Sequence, residues 1–260
     1  MLIDANNPIQ KDRFSGIERL LGQNALLRLK EARVLIVGLG GVGSWAAESL
    51  ARSGVGHMTL VDYDEVCITN TNRQLHALTS TVGKKKTNVL KDRLLDINPE
   101  SDIKTIEDFF SSDSLDSIFS SPFDLVIDAI DALSAKALLI KTCRDKNIPV
   151  VTTGGAGGKT DPTKIAIEDL AKTINDPLLQ KLRKYLRQKL EFPRGKRAKF
   201  GVQAVYSTEL PSLPDSCEPS DVAGKLDCAT GYGTASYITA SFGFFAAYQA
   251  VKILVEDKDR

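Results

Sequence analysis

One stretch limits what this chain can become more than any other. Residues 34–37, Val-Leu-Ile-Val, are apolar and rich in β-branched side chains, and they run directly into glycines at positions 38, 40, 41 and 43. Residues 44–53, Ser-Trp-Ala-Ala-Glu-Ser-Leu-Ala-Arg-Ser, then suit a helix. The pattern predicts a strand, a tight turn and a helix. Gly38, Gly40, Gly41 and Gly43 let the backbone turn sharply and let a pyrophosphate approach the N–H groups at the helix start, where the helix dipole favours anions. A second strand over 57–62 ends at Asp62, whose carboxylate can accept hydrogen bonds from a ribose. The spacing suits NAD, FAD and ATP alike.

The remainder of the chain extends this unit. Residues 12–31 predict one or two amphipathic helices, 83–98 a helix stopped at Asn98-Pro99, 103–106 a short strand, and 111–121 a Ser/Asp-rich linker with modest helical content. A buried strand is expected at 123–128, a helix at 134–147 and a strand at 148–153, followed by a second glycine-rich loop at 154–158. Strands alternating with helices of this length predict an α/β fold: a Rossmann-like, doubly wound, mainly parallel sheet with helices on both faces. Strands at 163–168 and 200–207, a Pro/Ser/Asp-rich loop at 208–227 and an apolar helix at 235–255 form an added C-terminal region. The expected organisation is an N-terminal helical segment 1–32, a nucleotide-binding domain 33–158 and a C-terminal extension 159–260 packed on the same domain.

Composition narrows the class of protein. With 42% hydrophobic and 26% charged residues over 260 positions, the chain resembles an ordinary soluble protein, and no run is expected to span a membrane. The polar opening, Met-Leu-Ile-Asp-Ala-Asn-Asn-Pro, lacks a signal-peptide pattern, so the expected compartment is the cytoplasm. Cys67, Cys143, Cys217 and Cys228 are widely spaced, and His57 and His76 are the two histidines, so neither a zinc site nor a disulfide framework is expected. Net charge is +1, but residues 181–199 hold nine Lys or Arg against one Glu. Such a run is most often a solvated helix face, and its alternative is a nucleic-acid contact.

The loop after Asp62 separates the nucleotide chemistries. A hydride-transfer enzyme has no use for Asn70, Asn72, Arg73 and Gln74 beside the phosphates, with Lys84 to Lys86 at a helix start and Asp131 across the crevice. Nucleotidyl transfer does. It places negative charge on the α-phosphate and on departing pyrophosphate, so an arginine, a lysine and a carboxylate-held Mg²⁺ around the triphosphate each lower the barrier.

These residues carry a resemblance. Gly38 to Gly43, Asp62-x-Asp64, Asn70-x-x-Arg73-Gln74, Lys86 and Asp128-Ala-Ile-Asp131 are similar to the adenylating superfamily of ubiquitin-activating enzymes and the molybdopterin and thiamine sulfur-carrier activators, over roughly residues 12–155. More narrowly, residues 40–48, 69–74, 151–158, 169–173 with 176–178, and 227–233 resemble the tRNA threonylcarbamoyladenosine dehydratase family, nearly end to end. That resemblance implies an ATP-dependent cyclisation on tRNA: adenylation of the threonine carboxylate of threonylcarbamoyladenosine, then attack by a nitrogen of the same modification, releasing AMP and pyrophosphate. It implies ATP and Mg²⁺, with Asp62 on the ribose, Asn70, Arg73 and Lys86 on the phosphates and Asp131 on the metal. Arg73, Lys86 and Asp131 are then the catalytic residues, with Asp64, Gln74 and Asp128 also lining the nucleotide.

The superfamily also supplies an arginine from the second subunit of a homodimer. Gly16 stands where the relatives' second arginine would fall, which leaves Arg13 or Arg19. On this reading Lys181, Arg183, Lys184, Arg187, Arg194, Lys196, Arg197 and Lys199 contact the tRNA backbone. A sulfur-relay protein is a further partner to test. Cys228 reads as a small buried side chain ahead of a glycine turn, and no cysteine is assigned a catalytic role. The alternatives are activation of a sulfur-carrier or ubiquitin-like protein C-terminus, which shares the adenylation step, and a nicotinamide-dependent oxidoreductase.

Overall fold

The computed structural model describes residues 13–195, 197–212 and 232–256. Strand β1 (Arg33–Val37) is buried along Val34 to Val37, on both faces, as a central strand of a parallel sheet must be. It is flanked by β2 (His57–Val61) and β4 (Leu125–Asp128), both parallel to it, with β3 (Asp102–Ile106) beyond β2 and β5 (Val150–Thr153) beyond β4. The C-terminal region adds β7 (Gln203–Ser207), parallel to β5, and β6 (Ile165–Asp169), antiparallel at the edge. The order is β3-β2-β1-β4-β5-β7-β6. It is the Rossmann-like, mainly parallel, doubly wound α/β sheet that the alternation of elements predicts.

Alternation along each strand divides the core in two. Val34, Ile36, Met58, Leu60, Leu125 and Ile127 face helices α3 (Gly43–Arg52), α4 (Lys86–Ile97) and α8 (Ser236–Val255). Leu35, Val37, Val61 and Val126 face α6 (Leu133–Asp145) and α7 (Pro177–Lys189), with the short α5 (Leu115–Ile118) beside them. Helix α3 buries a small-residue face of Ala46, Ala47, Leu50 and Ala51, which lets α8 approach closely, and Trp45 meets Phe244 edge-on at 5.9 Å. The N-terminal α1 (Ser15–Leu21) and α2 (Gln23–Glu31) form the two short helices expected there, and Arg28 donates to the Val255 carbonyl at 2.6 Å, tying α2 to the end of α8. One expectation fails: α8 is a helix long and apolar enough to cross a membrane by length and composition. Half of it is buried inside the fold, against α3 and the sheet, which accounts for its apolar character here.

Two buried ionic contacts fasten the helices on opposite faces. Glu48 of α3 accepts from Arg52 and, through both its oxygens, from Arg93 of α4 at 2.8 and 3.0 Å. Asp128, at the end of β4, pairs with Lys136 of α6 at 2.9 Å with both side chains wholly buried, and also accepts from the Thr152 hydroxyl at 2.6 Å and the Ile130 N–H at 3.1 Å. Removing one member of such a pair strands a charge away from water. Lys136→Met is therefore expected to cost about 3–5 kcal/mol, read as a loss of unfolding free energy in urea titrations relative to the parent.

Candidate active site

The strand order reverses between β1 and β4, and the crevice opens beyond their carboxyl ends, where open α/β sheets hold ligands. The turn after β1 is closed to side chains. Gly38 has φ +89°, and a Cβ there would lie 2.7 Å from the Ala129 carbonyl oxygen; a Cβ on Gly43 would lie 1.8 Å from the Gly38 oxygen. Gly40 differs. The nearest atom to its notional Cβ is the Gln74 amide nitrogen at 3.8 Å, so the fold leaves that space open, as a cradle for a phosphate requires. Gly41 sits tightly against Thr239 and the Arg73 stem.

Asp62 leaves β2 with one carboxylate oxygen accepting from the Leu39 N–H of the glycine turn at 2.6 Å and the other from the Asp64 N–H at 2.8 Å. This fixes the acid at the mouth of the turn, where the sequence places the ribose. Beside it Tyr63 stacks on Phe109 at 4.2 Å and 21°, and Lys85 lies over the Tyr63 ring at 5.1 Å. Phe109 was not legible in the sequence because it lies 46 positions further on, past β3. Lys86, at the first turn of α4, is 4% exposed, and its ammonium meets Asp64 at 2.7 Å and Asp62 at 4.0 Å. Of the three consecutive lysines it is the buried one; Lys84 is exposed, and Lys85 pairs with Glu65 at 3.4 Å.

The 69–76 loop is held from several sides. Buried Asn70 accepts from the Cys67 N–H at 3.0 Å, capping a 3₁₀ turn over Ile68–Asn70. Arg73 donates to the Thr69 carbonyl at 2.8 Å and the Asn72 side chain at 3.0 Å, and its own carbonyl accepts from Trp45 and Thr239, each at 3.2 Å. Gln74 lies against the turn and its Oε1 is buried without a partner. His76, 1% exposed, has no partner for either ring nitrogen. Burial, and then the Lys86 charge, pull its imidazole down to about 4. An unsatisfied buried polar group costs about 1–3 kcal/mol, so this loop carries a standing penalty.

The two aspartates after β4 separate. Asp131 is exposed at the crevice, whereas Asp128 shows no surface and its carboxylate is taken up by Lys136, Thr152 and the Ile130 N–H. The expectation that Asp128 lines the nucleotide is corrected on that ground: it braces the loop that presents Asp131. Among the described residues no group of three or more His, Cys, Asp or Glu could hold a metal. The second glycine loop is tied down by Asp176, which accepts from the Gly155 N–H and, as the cap of α7, from the Leu179 N–H, each at 2.9 Å; burial holds its carboxyl above the usual carboxylate range. Lys159, buried nearby and lowered by burial, donates to the Asn175 and Glu209 carbonyls.

Arg13 donates to the Ile97 carbonyl at 2.8 Å, at the far end of α4 from Lys86, roughly 16 Å along the axis. Arg19 is exposed on α1. Arg13 is thus held away from this chain's own crevice near Lys86. In the basic run, Lys181 and Lys184 are exposed on one side of α7 while Leu179, Leu182 and Leu186 bury the other. Arg183 donates to the Thr173 hydroxyl, Arg187 lies over Phe200 at 5.0 Å, and Arg194 donates to the Arg187 carbonyl at 3.0 Å, so these three are partly structural. Arg197 and Lys199 are exposed. Lys196, Cys217 and Cys228 lie outside the described residues.

The fold and sequence have counterparts in known proteins. Residues 15–260 match the model of the ThiF family. The chain belongs to that family. Its ThiF-type sequence is 46% identical over 248 residues to the tRNA threonylcarbamoyladenosine dehydratase of Haemophilus influenzae, covering 95% of each chain, and 47% identical to that of Escherichia coli, covering 93% of each. The crystal structure of the Escherichia coli enzyme in complex with ATP superposes with a TM-score of 0.85 at 44% identity, covering 97% of both chains, and its AMP complex with 0.87. Within the ThiF family, then, the chain groups with the tRNA threonylcarbamoyladenosine dehydratases, and its adenylating character follows.

Two outcomes test this geometry. Gly40→Ala is expected to leave stability within about 0.5 kcal/mol of the parent yet weaken ATP about tenfold, while Gly43→Ala destabilises by about 1–3 kcal/mol or more; thermal unfolding with and without ATP separates the two. His76 makes a pH prediction. The unfolded imidazole titrates near 6.5 and the native one about 4, so below pH 6.5 the unfolded chain takes up a proton that the native chain refuses. Stability falls as pH drops from about 6.5 to about 4, by about 3 kcal/mol, and urea titrations across that range should show the loss in the parent but not in His76→Phe.

Proposed function

We propose that this chain is an ATP-dependent dehydratase that closes the threonylcarbamoyl group of threonylcarbamoyladenosine in tRNA to its cyclic hydantoin form. The observation that carries the reading is the convergence of an open glycine cradle, Asp62, Arg73, Lys86 and Asp131 at the carboxyl ends of β1, β2 and β4. A carboxylate is a poor electrophile. Its oxygen attacks the α-phosphorus of ATP, the bond to pyrophosphate breaks, and the acyl adenylate formed carries AMP as a good leaving group. The ureido nitrogen of the same side chain then attacks the acyl carbon, loses its proton, and expels AMP. Because nucleophile and electrophile belong to one substituent, proximity lowers this second barrier by several kcal/mol or more.

The chain's residues have distinct tasks in this scheme. Asp62 takes the ribose hydroxyls, and the N–H groups of the turn and of the α3 start receive phosphate oxygens. Asn70, Arg73 and Lys86 hold the triphosphate, with the two cations on the charge that develops as pyrophosphate departs. For Lys86 this means exchanging Asp64, which is exposed and able to return to solvent, for phosphate. Asp131 is a lone exposed carboxylate, which fits Mg²⁺ brought in on phosphate oxygens, since that ion needs one or two protein carboxylates and keeps its other ligands from substrate and water. When bound, the ion supplies neutralising charge beside the β- and γ-phosphates.

The tRNA approaches over α7, where Lys181 and Lys184, with Arg197 and Lys199 beyond the helix, present an unneutralised basic surface. A homodimer is supported by exposed apolar side chains, Leu20 and Leu27 on the first helices and Tyr237, Phe244 and Tyr248 on α8. In that assembly Arg13 or Arg19 would serve the other subunit's crevice. Incubating the protein with ATP and tRNA carrying threonylcarbamoyladenosine should convert the nucleoside to a form 18 mass units lighter, a water's mass, by nucleoside mass spectrometry. ATP–pyrophosphate exchange without that product would point to activation of a protein C-terminus. Lys181→Glu with Lys184→Glu should weaken tRNA binding and flatten its salt dependence by a slope of about 2, leaving ATP affinity as in the parent, measured by filter binding and calorimetry.

A further inference from the structure

Five buried side-chain polar atoms among the described residues lack a hydrogen-bond partner, and four of them lie on two segments that border the crevice: Gln74 Oε1, His76 Nδ1 and Nε2, and Thr87 Oγ1. Gln74 and Thr87 are buried like His76, Thr87 fully so. Buried atoms left open in this way ordinarily mark an ordered water, a ligand group or a catalytic task. Two of the three residues involve Lys86: Thr87 follows it at the start of α4, and the charge of Lys86 acts on His76. The Gln74 amide nitrogen faces the open space at Gly40.

Lys86 has three N–H donors to place. Its carboxylate neighbours, Asp64 at 2.7 Å and Asp62 at 4.0 Å, both come from the end of β2. A triphosphate that draws the ammonium off Asp64 leaves any donor not aimed at phosphate facing the protein interior, where a lost hydrogen bond is felt in full. We propose that His76 is a positioning residue for Lys86: its neutral ring, with the Gln74 carbonyl oxygen and the Thr87 hydroxyl, accepts the inward ammonium hydrogens, directly or through one ordered water, and so holds the charge at the triphosphate. A buried neutral imidazole offers one acceptor nitrogen and one donor, enough to hold such a water in common with Gln74 or Thr87. A protonated ring would instead repel Lys86, and burial prevents that protonation. The inference rests on the adenylation reading above and adds to it a residue behind the phosphate-binding lysine.

His76→Phe keeps a ring in the cavity and removes both nitrogens; His76→Asn restores an acceptor. ATP dissociation constants by calorimetry, and kcat and KM by ATP–pyrophosphate exchange on threonylcarbamoyladenosine-bearing tRNA, are compared in both variants and in a Lys86→Ala background. The expected result is ATP binding weakened about tenfold by His76→Phe, as for loss of a hydrogen bond to a charge, with kcat lowered and the unfolding temperature kept or raised, and partial recovery in His76→Asn. In the Lys86→Ala background the same substitution should change ATP binding by less than about twofold. ATP binding and kcat of His76→Phe equal to the parent's, or an effect undiminished without Lys86, would overturn the assignment. If His76→Phe does not fold, Thr87→Val decides by the same comparison: ATP binding about threefold weaker or more, and only when Lys86 is present, supports the pocket, and unchanged binding overturns it. Absence of cyclic nucleoside in the parent, with the Lys86-dependent effect on ATP intact, would remove the tRNA reading and leave the role of His76 standing.

Discussion

The turn between β1 and α3 is closed so tightly that three segments distant in sequence have one way to meet. The Gly38 oxygen occupies the space a side chain on Gly43 would need, and the Ala129 carbonyl occupies the space a side chain on Gly38 would need. The first contact lets the helix begin immediately after the strand. The second brings the exit of β4 onto the same turn. Asp62 adds a third tie by taking the Leu39 N–H, so the ends of β1, β2 and β4 converge before any ligand is considered. The start of α3 consequently lies beside Asp62 and beside the exit of β4 that leads to Asp131. A nucleotide site in this fold is thus a consequence of close backbone packing, and the side chains around it refine what it does.

The buried charges fall into two kinds, distinguished by what water can reach. Asp128 and Lys136 are both wholly inaccessible, and the aspartate is further bonded to Thr152 and Ile130. A pair of that kind cannot change partners without stranding an ion, so it works as a brace. Lys86 and Asp64 are unlike: the ammonium is buried, but the carboxylate is more than half exposed. The acid loses little by releasing the lysine to another anion, because water can solvate it in exchange. One contact is fixed in place, and the other can exchange its partner at little cost.

How much of this was legible in the sequence depended on whether the cause was local. The glycine turn, the two faces of each strand and the acid at the end of β2 follow from residues within a few positions of one another, and the structure has them where the spacing put them. Asp128 was misjudged because Asp-x-x-Asp at a strand end does not reveal which carboxylate turns inward; that is decided by Lys136 on the next helix and Thr152 on the next strand. The basic run reads as uniform in sequence, yet Arg183 and Arg187 belong to the inner side of α7, against Thr173 and Phe200, while Lys181 and Lys184 face out. The apolarity of α8 was legible, but not the reason for it, since the small face of α3 that receives it lies about 190 positions earlier. His76 gave the weakest signal of all. A histidine in a polar loop looks exposed, and its burial is fixed by neighbours outside the loop, Lys86 of α4 among them.

The C-terminal region does more than widen the sheet. Thr239 of α8 donates to the Arg73 carbonyl, Trp45 of α3 donates to the same oxygen, and Asn72 donates to the Thr234 carbonyl just before α8 begins. One contact from each of two helices thereby fixes the Arg73 carbonyl, and the Asn72 contact anchors the neighbouring residue to the segment before α8. The guanidinium itself is oriented by Thr69 and Asn72, which belong to the loop so anchored. Since α8 packs along α3, any shift of the C-terminal helix is transmitted both to the helix that follows the glycine turn and to the loop that carries Arg73. The same region also supplies β6, β7 and the basic face of α7. The C-terminal region is therefore joined, by hydrogen bonds and packing, to the loop that carries Arg73 and to the helix that follows the glycine turn.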